Sequence, residues 1–133
     1  MSVENSEVIP PESVYEDTYF SRGMNGWIGN GRMSGTVYNC TSLEKSWKVN
    51  KSSAFKVQLY VSSPSGVAQI LLHNNGQIRS FGAINASSIT LGQSASANTS
   101  RYTNYLTIQF TVQDANRNTL PFNVHRVVIS KSV

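Results

Sequence analysis

Acidic side chains are scarce in most of this sequence, and the few present are concentrated near its start. Charged residues make up only 14% of the 133 residues. Five of the seven acids lie in residues 1–21, where there is no lysine or arginine, so that segment carries a net charge of −5. The rest of the chain has eleven basic residues against Glu44 and Asp114, a net charge of +9. Catalysis by a pair of carboxylates therefore has almost no candidates in the body of the protein.

Cysteine, histidine and the common catalytic motifs are equally sparse. Cys40 is the single cysteine, so no internal disulfide forms, and with only His73 and His125 beside it a closed four-ligand zinc site is excluded. Cys40 would act as a nucleophile only if the fold placed it beside a histidine, which no motif indicates. There is no phosphate-binding glycine loop and no Gly-x-Ser-x-Gly sequence. We predict a protein that is not an enzyme and uses no metal and no cofactor.

Long apolar runs are also missing. No segment approaches the ~20 apolar residues that span a bilayer. The start of the chain, residues 1–4, has neither the basic nor the apolar part of a secretory signal. We expect synthesis in a cytoplasm and no membrane insertion.

The apolar residues that are present alternate with polar ones, which is the pattern of half-buried strands. This alternation predicts strands over residues 55–61 and 105–112, and the apolar runs in 67–73 and 122–129 predict two more. Weaker strand candidates are residues 36–40, 47–50, 77–81 and 88–91. Asn74-Asn75-Gly76 predicts a tight hairpin turn, and residues 92–103 are expected to form a long polar loop.

About eight short antiparallel strands in one domain predict an all-β sandwich of the jelly-roll type, spanning residues 15–133. Residues 1–14 are acidic and contain two adjacent prolines, so we expect an extended N-terminal arm. The residues of this arm expected to dock onto an assembly are Glu4, Glu7, Pro10, Pro11 and Glu12.

The segment YEDTYFSRGMNGW, residues 15–27, resembles the opening of carbohydrate-binding modules of the family 4 and 9 type. Those modules typically begin with Phe or Phe-Glu, a short glycine turn and Gly-Trp, and the resemblance continues through the predicted strands up to residue 131. It implies a galactose-binding-like jelly roll and sugar binding. Such modules usually hold a structural calcium with an acid on the closing strand. Here that place reads Val124-His125-Arg126-Val127, so no calcium is expected although Glu16 and Asp17 are present.

Several aromatic side chains are candidates for a platform on which a sugar could stack. Trp47 has polar neighbours, Tyr60 faces outward in its predicted strand, and two further tyrosines flank the polar loop. The candidate ligand-binding residues are Trp47, Tyr60, Tyr102, Tyr105 and Arg79. The alternative is that the tyrosines are ordinary surface residues. Trp27, within a glycine-rich run, is expected to be a core residue.

Three functions remain open from the sequence. The main expectation is a non-catalytic, homo-oligomeric subunit of a larger assembly, a phage capsid decoration or tail protein in the virion, which docks through its arm and binds glycans. The alternative is a lectin-like carbohydrate-binding module that acts outside the cell on polysaccharide or cell-surface sugar. Nucleic-acid binding is disfavoured because the basic residues are spread along the chain, apart from a cluster in residues 45–51.

Overall fold

The computed structural model describes residues 13–64, 68–84, 89 and 94–132. The arm residues Glu4, Glu7, Pro10, Pro11 and Glu12 lie outside this range, as does the predicted strand 88–91 apart from Ile89. The first strand begins at Ser13, two residues before the expected domain boundary at 15. Within the described residues no helix is long and apolar enough to cross a membrane.

Strands account for nearly all regular structure in the described residues. They are β1 (Ser13–Tyr19), β2 (Ile28–Gly29), β3 (Arg32–Ser34), β4 (Val37–Cys40), β5 (Leu43–Lys48), β6 (Ala54–Ser62), β7 (Ala68–Asn74), β8 (Gln77–Ile84), β9 (Ser94–Asn98), β10 (Tyr105–Gln113) and β11 (Phe122–Ser132), with a single 3-10 turn at Phe20–Arg22. The strands predicted over 55–61, 67–73, 105–112 and 122–129 are confirmed.

The strands form two antiparallel sheets that pack face to face. Sheet 1 has the order β9-β6-β11-β4-β3, and β1 pairs with β11 beyond the part that β4 covers. Sheet 2 has the order β2-β5-β10-β7-β8. The predicted all-β sandwich is confirmed, and its arrangement is that of a jelly roll.

The core lies between the sheets and is built by the alternation read from the sequence. The inward residues of β6 and β10 are 0–1% exposed: Phe55, Val57, Leu59, Val61, Leu106, Ile108, Phe110 and Val112. Each large apolar side chain of this kind stabilises the fold by about 1.5–3 kcal/mol relative to an exposed position. Trp27 is 3% exposed and packs in this core, as predicted.

Two short segments differ from the sequence-based expectation. The strand predicted over 47–50 is instead β5, which begins at Leu43. The polar loop predicted over 92–103 contains β9, whose inward residues Ala95 and Ala97 lie opposite Val57 and Phe55 of β6. Propensity alone does not predict β9, because its stability comes from pairing with β6 and not from apolar side chains of its own.

The hairpin between β7 and β8 positions one wall of the site described below. Asn75 and Gly76 have φ angles of 50° and 89°, as a tight turn with two left-handed residues requires. The predicted Asn-Gly hairpin is therefore confirmed.

Candidate functional site

Trp47 does not form an exposed platform. β5 begins at Leu43, so Leu43, Lys45 and Trp47 share the inward face of the strand. The Trp47 ring packs edge-on against Trp27 with centroids 5.5 Å apart, and Lys45 Nζ lies 5.6 Å from its centre. The expectation of exposure is corrected because the polar neighbours in sequence point to the opposite face.

Tyr60 lies on the outer face of sheet 1, in a row with Arg126 and Tyr19. The Arg126 guanidinium carbon is 4.5 Å from the centre of the Tyr19 ring and 5.3 Å from that of Tyr60. Arg126 Nε and Nη2 donate to the two carboxylate oxygens of Asp17 at 2.9 and 2.8 Å, which lowers the pKa of Asp17. The polar groups of this row are therefore largely satisfied by each other.

The other three candidate residues lie at one end of the sandwich, where β5, β7 and β9 end. A cleft of about 480 Å³ opens there, which we call the amide cleft. Its walls are Asn74, Asn75, Gln77, Arg79, Asn98, Thr99, Ser100 and Thr103. Tyr102 lies within the loop that supplies one wall, and the Tyr105 carbonyl accepts a hydrogen bond from Asn75 Nδ2 at 3.0 Å. Arg79 thus lines the amide cleft, Tyr102 belongs to the loop that forms one wall, and Tyr105 is joined to the cleft through its backbone carbonyl, whereas Tyr60 and Trp47 lie elsewhere.

Two asparagines fix the shape of the amide cleft. Asn74 of sheet 2 accepts from the Asn98 N–H at 2.9 Å and donates to the Asn98 carbonyl at 3.2 Å, so it bridges to sheet 1. Asn75 accepts from the Thr107 N–H at 2.6 Å through its side-chain oxygen. These amides add hydrogen bonds where the backbone pairing of the strands ends, so they tie together the segments that form the base of the cleft.

Other groups of the amide cleft keep hydrogen-bonding capacity for a ligand. Arg79 uses two of its five N–H donors, one on the Ser96 carbonyl and one on Gln77. Tyr102 and Tyr105 are 75% and 52% exposed, and the Arg101 guanidinium lies 4.8 Å from the centre of the Tyr102 ring. The arrangement can bind a polar ligand with many hydroxyl groups.

Arg79 and the two tyrosines are among the candidates predicted from the sequence, whereas the amides of the cleft are not. From the sequence, Asn74 and Asn75 are predicted only as turn residues, and residues 98–103 only as part of a polar loop. The signal available was the density of Asn, Ser and Thr in both segments. Nothing in the sequence showed that the two segments meet.

The groups considered for nucleophilic catalysis do not meet. Cys40 is 3% exposed, and burial raises the pKa of its thiol to about 12. His73 hydrogen-bonds Thr111 on the outer face of sheet 2, whereas His125 hydrogen-bonds Ser62 in sheet 1. Burial lowers the pKa of both histidines. A thiolate–imidazole pair is not formed by these residues.

A calcium ion between the two N-terminal acids does not fit this arrangement. Glu16 faces inward and holds Lys45, with Oε1 to Nζ at 2.8 Å, while Asp17 faces outward and holds Arg126. Burial raises the pKa of Glu16, but hydrogen bonds from Lys45, Thr18 and Trp27 outweigh it, so the net shift is downward. Each carboxylate already has a cation from the chain itself.

Comparison with known proteins gives similarity at the level of structure. No protein-family model and no curated protein matches the sequence. The CBM22-1 xylan-binding domain of Paenibacillus barcinonensis Xyn10C matches with a TM-score of 0.68 and 13% identity, over 94% of this chain and 98% of that one. The CBM22-1 and GH10 modules of Clostridium thermocellum xylanase Xyn10B, solved with xylohexaose, match with a TM-score of 0.68 and 13% sequence identity. The match covers 90% of this chain and 28% of that one. Carbohydrate-binding module CBM36, in complex with calcium and xylotriose, matches with a TM-score of 0.54 and 16% sequence identity. The match covers 86% of this chain and 98% of that one.

At these identities the similarities establish the fold, a jelly-roll β-sandwich shared with carbohydrate-binding modules. This agrees with the resemblance in residues 15–27, although the matched modules do not specify the family 4 and 9 type. In these two structures the fold is seen as a single domain taken from Xyn10C and as a CBM22-1 module together with a GH10 module. Nothing in the fold or in these similarities points to the phage virion role, or to capsid, tail or homo-oligomeric partners.

Proposed function

We propose that this chain is a non-catalytic, lectin-like module that binds polysaccharide or cell-surface glycans outside the cell, and that the ligand lies in the amide cleft. The main observation that supports the proposal is the amide cleft. Its volume of about 480 Å³ is in the range of small-molecule sites. Amide and hydroxyl side chains both donate and accept hydrogen bonds, as sugar hydroxyls do. The walls of the cleft can therefore hydrogen-bond a sugar hydroxyl in either direction.

Tyr102 and Tyr105 are not among the residues that line the cleft, but they lie beside it in sequence and are the candidates for the apolar contact that a sugar ring requires. Tyr102 and Tyr105 are the most exposed tyrosines of the described residues. An exposed aromatic ring costs little stability to remove, so a loss of binding on its removal reports on the ligand. The similarity to modules solved with xylohexaose or xylotriose supports the proposal at the level of the fold.

Affinity electrophoresis through gels containing xylan, mannan, β-1,4-galactan or acidic polysaccharides tests the proposal. Tyr102→Ala should weaken retention about fivefold, equivalent to roughly 1 kcal/mol for one aromatic contact, with unchanged thermal unfolding. Tyr60→Ala, on the outer face of sheet 1, is the matched control and should be retained like the wild type.

Two results would count against the proposal. Loss of retention in Tyr60→Ala but not in Tyr102→Ala would move the site to the row with Arg126. Absence of retention by every glycan in the panel would reject glycan binding itself.

A further inference from the structure

Five cations from four separate parts of the chain lie at the cleft end of the sandwich. We call this surface the basic end. It consists of Lys48 at the end of β5, Lys51 in the next turn, Arg79 in the amide cleft, Arg101 in the loop before β10, and Lys131 near the end of β11. Lys48 and Lys51 are close in sequence, but only the fold shows that the other three cations lie at the same end of the sandwich.

The described carboxylates do not neutralise the basic end. Glu16 and Asp17 are bound to Lys45 and Arg126. Glu44 lies four residues before Lys48 on β5, roughly 13 Å away along the strand. Asp114 lies beyond the opposite end of β10. Within the described ranges, no ion pair involves any of the five cations.

The carboxylate of Asp114 is hydrogen-bonded within its own loop. One of its carboxylate oxygens accepts from the backbone N–H groups of Asn116 and Asn118, both at 2.9 Å. The hydrogen bond from Asn118, supported by that from Asn116, lowers the pKa of Asp114, so it stays ionised at its own end of the molecule. The charge of the sandwich is therefore polarised toward the basic end.

Two adjacent concave surfaces cross the basic end. Beside the amide cleft lies a groove of about 610 Å³, lined by Tyr15, Lys48, Val49, Asn50, Lys51 and Asn104. The loop of residues 99–104 separates the two, and Thr99 Oγ1 donates to the Asn50 carbonyl at 3.1 Å beneath it. An extended ligand can thus contact the lysines of the groove and Arg79 of the cleft at once.

We propose that the basic end selects acidic polysaccharides, that is, glycans bearing carboxylate or sulfate groups. This rests on the proposed glycan-binding function and names the class of glycan. The lysines and arginines supply attraction to the anionic groups, and Arg79 retains three N–H donors that match a carboxylate or sulfate. The amide and hydroxyl walls favour a glycan over a nucleic acid, because they match ring hydroxyls on both their donor and acceptor sides.

The test compares charged and uncharged forms of the same polymer by isothermal titration calorimetry. Polygalacturonate and its fully methyl-esterified form share one backbone and differ in whether each carboxyl is charged or esterified, and dextran sulfate with dextran provides the sulfate pair. At about 50 mM salt we expect at least tenfold tighter binding of one charged form over its neutral partner. This preference should largely disappear near 0.5 M salt, where the screening length falls to a few ångströms.

A pair of variants with equal charge change assigns the effect to the basic end. Lys48→Gln with Lys51→Gln should lose about tenfold of the affinity for the charged polymer and little for the neutral one. Arg32→Gln with Arg117→Gln, exposed positions distant from the basic end, is the matched control and should retain the preference.

The outcomes separate the two proposals. If charged and neutral forms bind equally, the inference is wrong and glycan binding stands; if neither form of any glycan binds, the proposed function itself fails. An equal loss of affinity for the charged polymer in both double variants would show an effect of net charge, and would overturn the assignment to the basic end. Binding of a single-stranded oligonucleotide as tight as that of the charged polysaccharides would show a general polyanion surface, and would also overturn the inference.

Discussion

Replacing Lys45 with methionine should destabilise the protein strongly, although the residue lies on a strand near the surface. Lys45 Nζ pairs with Glu16 Oε1 at 2.8 Å, and the two side chains are 17% and 5% exposed. Lys45→Met would leave the Glu16 carboxylate buried without its cation. Removal of one partner from a buried ion pair costs about 3–5 kcal/mol. We expect about 3 kcal/mol, the low end, because Lys45 is partly solvated.

The magnitude converts directly into a measurable change in melting temperature. An unfolding entropy near 2.1 cal/mol/K per residue gives roughly 0.28 kcal/mol/K for this chain, so a loss of 3 kcal/mol lowers Tm by about 10 °C. Thermal and urea unfolding followed by tryptophan fluorescence suit the measurement, because Trp27 donates to Glu16 at 3.0 Å and Trp47 contacts Lys45. Lys48→Met, on the outward face of the same strand, is the control and should change stability by less than about 0.5 kcal/mol.

The pH dependence gives a second, independent check. The folded-state pKa of Glu16 is lowered, so its pairing stabilises the protein above the unfolded value near 4.3 and ceases to do so as pH falls through the folded value. The difference in the free energy of unfolding between the wild type and Lys45→Met should therefore be largest at neutral pH and should shrink in acid. A cost below 1 kcal/mol at pH 7, or an equal cost at pH 7 and at strongly acidic pH, would refute the reasoning.

Two further predictions concern the thiol and the N-terminal charges. Cys40 should not react with iodoacetamide at pH 8 in the folded protein and should react after denaturation, because burial raises the pKa of its thiol to about 12. Mass spectrometry measures the labelling, and rapid labelling of the folded protein would contradict this prediction. Glu4→Gln, Glu7→Gln and Glu12→Gln together should tighten binding to polygalacturonate at low salt, because these acids precede Ser13, which pairs with Lys131 at the basic end. Weaker binding by calorimetry would show that the acids assist the ligand.

The sequence predicts the strands that carry strong alternation and fails for the others. β6 and β10 each place four large apolar residues on one face, so their positions follow from the period of two. β2, β3 and β9 are short or made of small and polar residues, and they exist because a neighbouring strand offers hydrogen-bonding partners. Such pairing depends on the folded topology, which composition does not reveal.

The error at Trp47 has a specific cause. In β5 the inward residues are Leu43, Lys45 and Trp47, and the lysine in the middle hides the alternation. Lys45 tolerates this position because Glu16, distant in sequence, supplies a buried partner. A long-range pair of this kind cannot be read from local patterning, and the same is true of the asparagines that meet in the amide cleft.

The scarcity of acids bears on both the stability of this protein and the glycan binding proposed for it. One buried acid, Glu16, is stabilised by an inward lysine, and one exposed acid, Asp17, is bound by Arg126. The two acids left in the described body lie away from the amide cleft, so none of the described carboxylates pairs with the cations there. Exposed charges of this kind cost little folding free energy because water solvates them. The attraction they can exert is therefore retained for a ligand, and a carboxylate introduced among them, for example at position 51, should weaken binding of an acidic glycan without unfolding the protein.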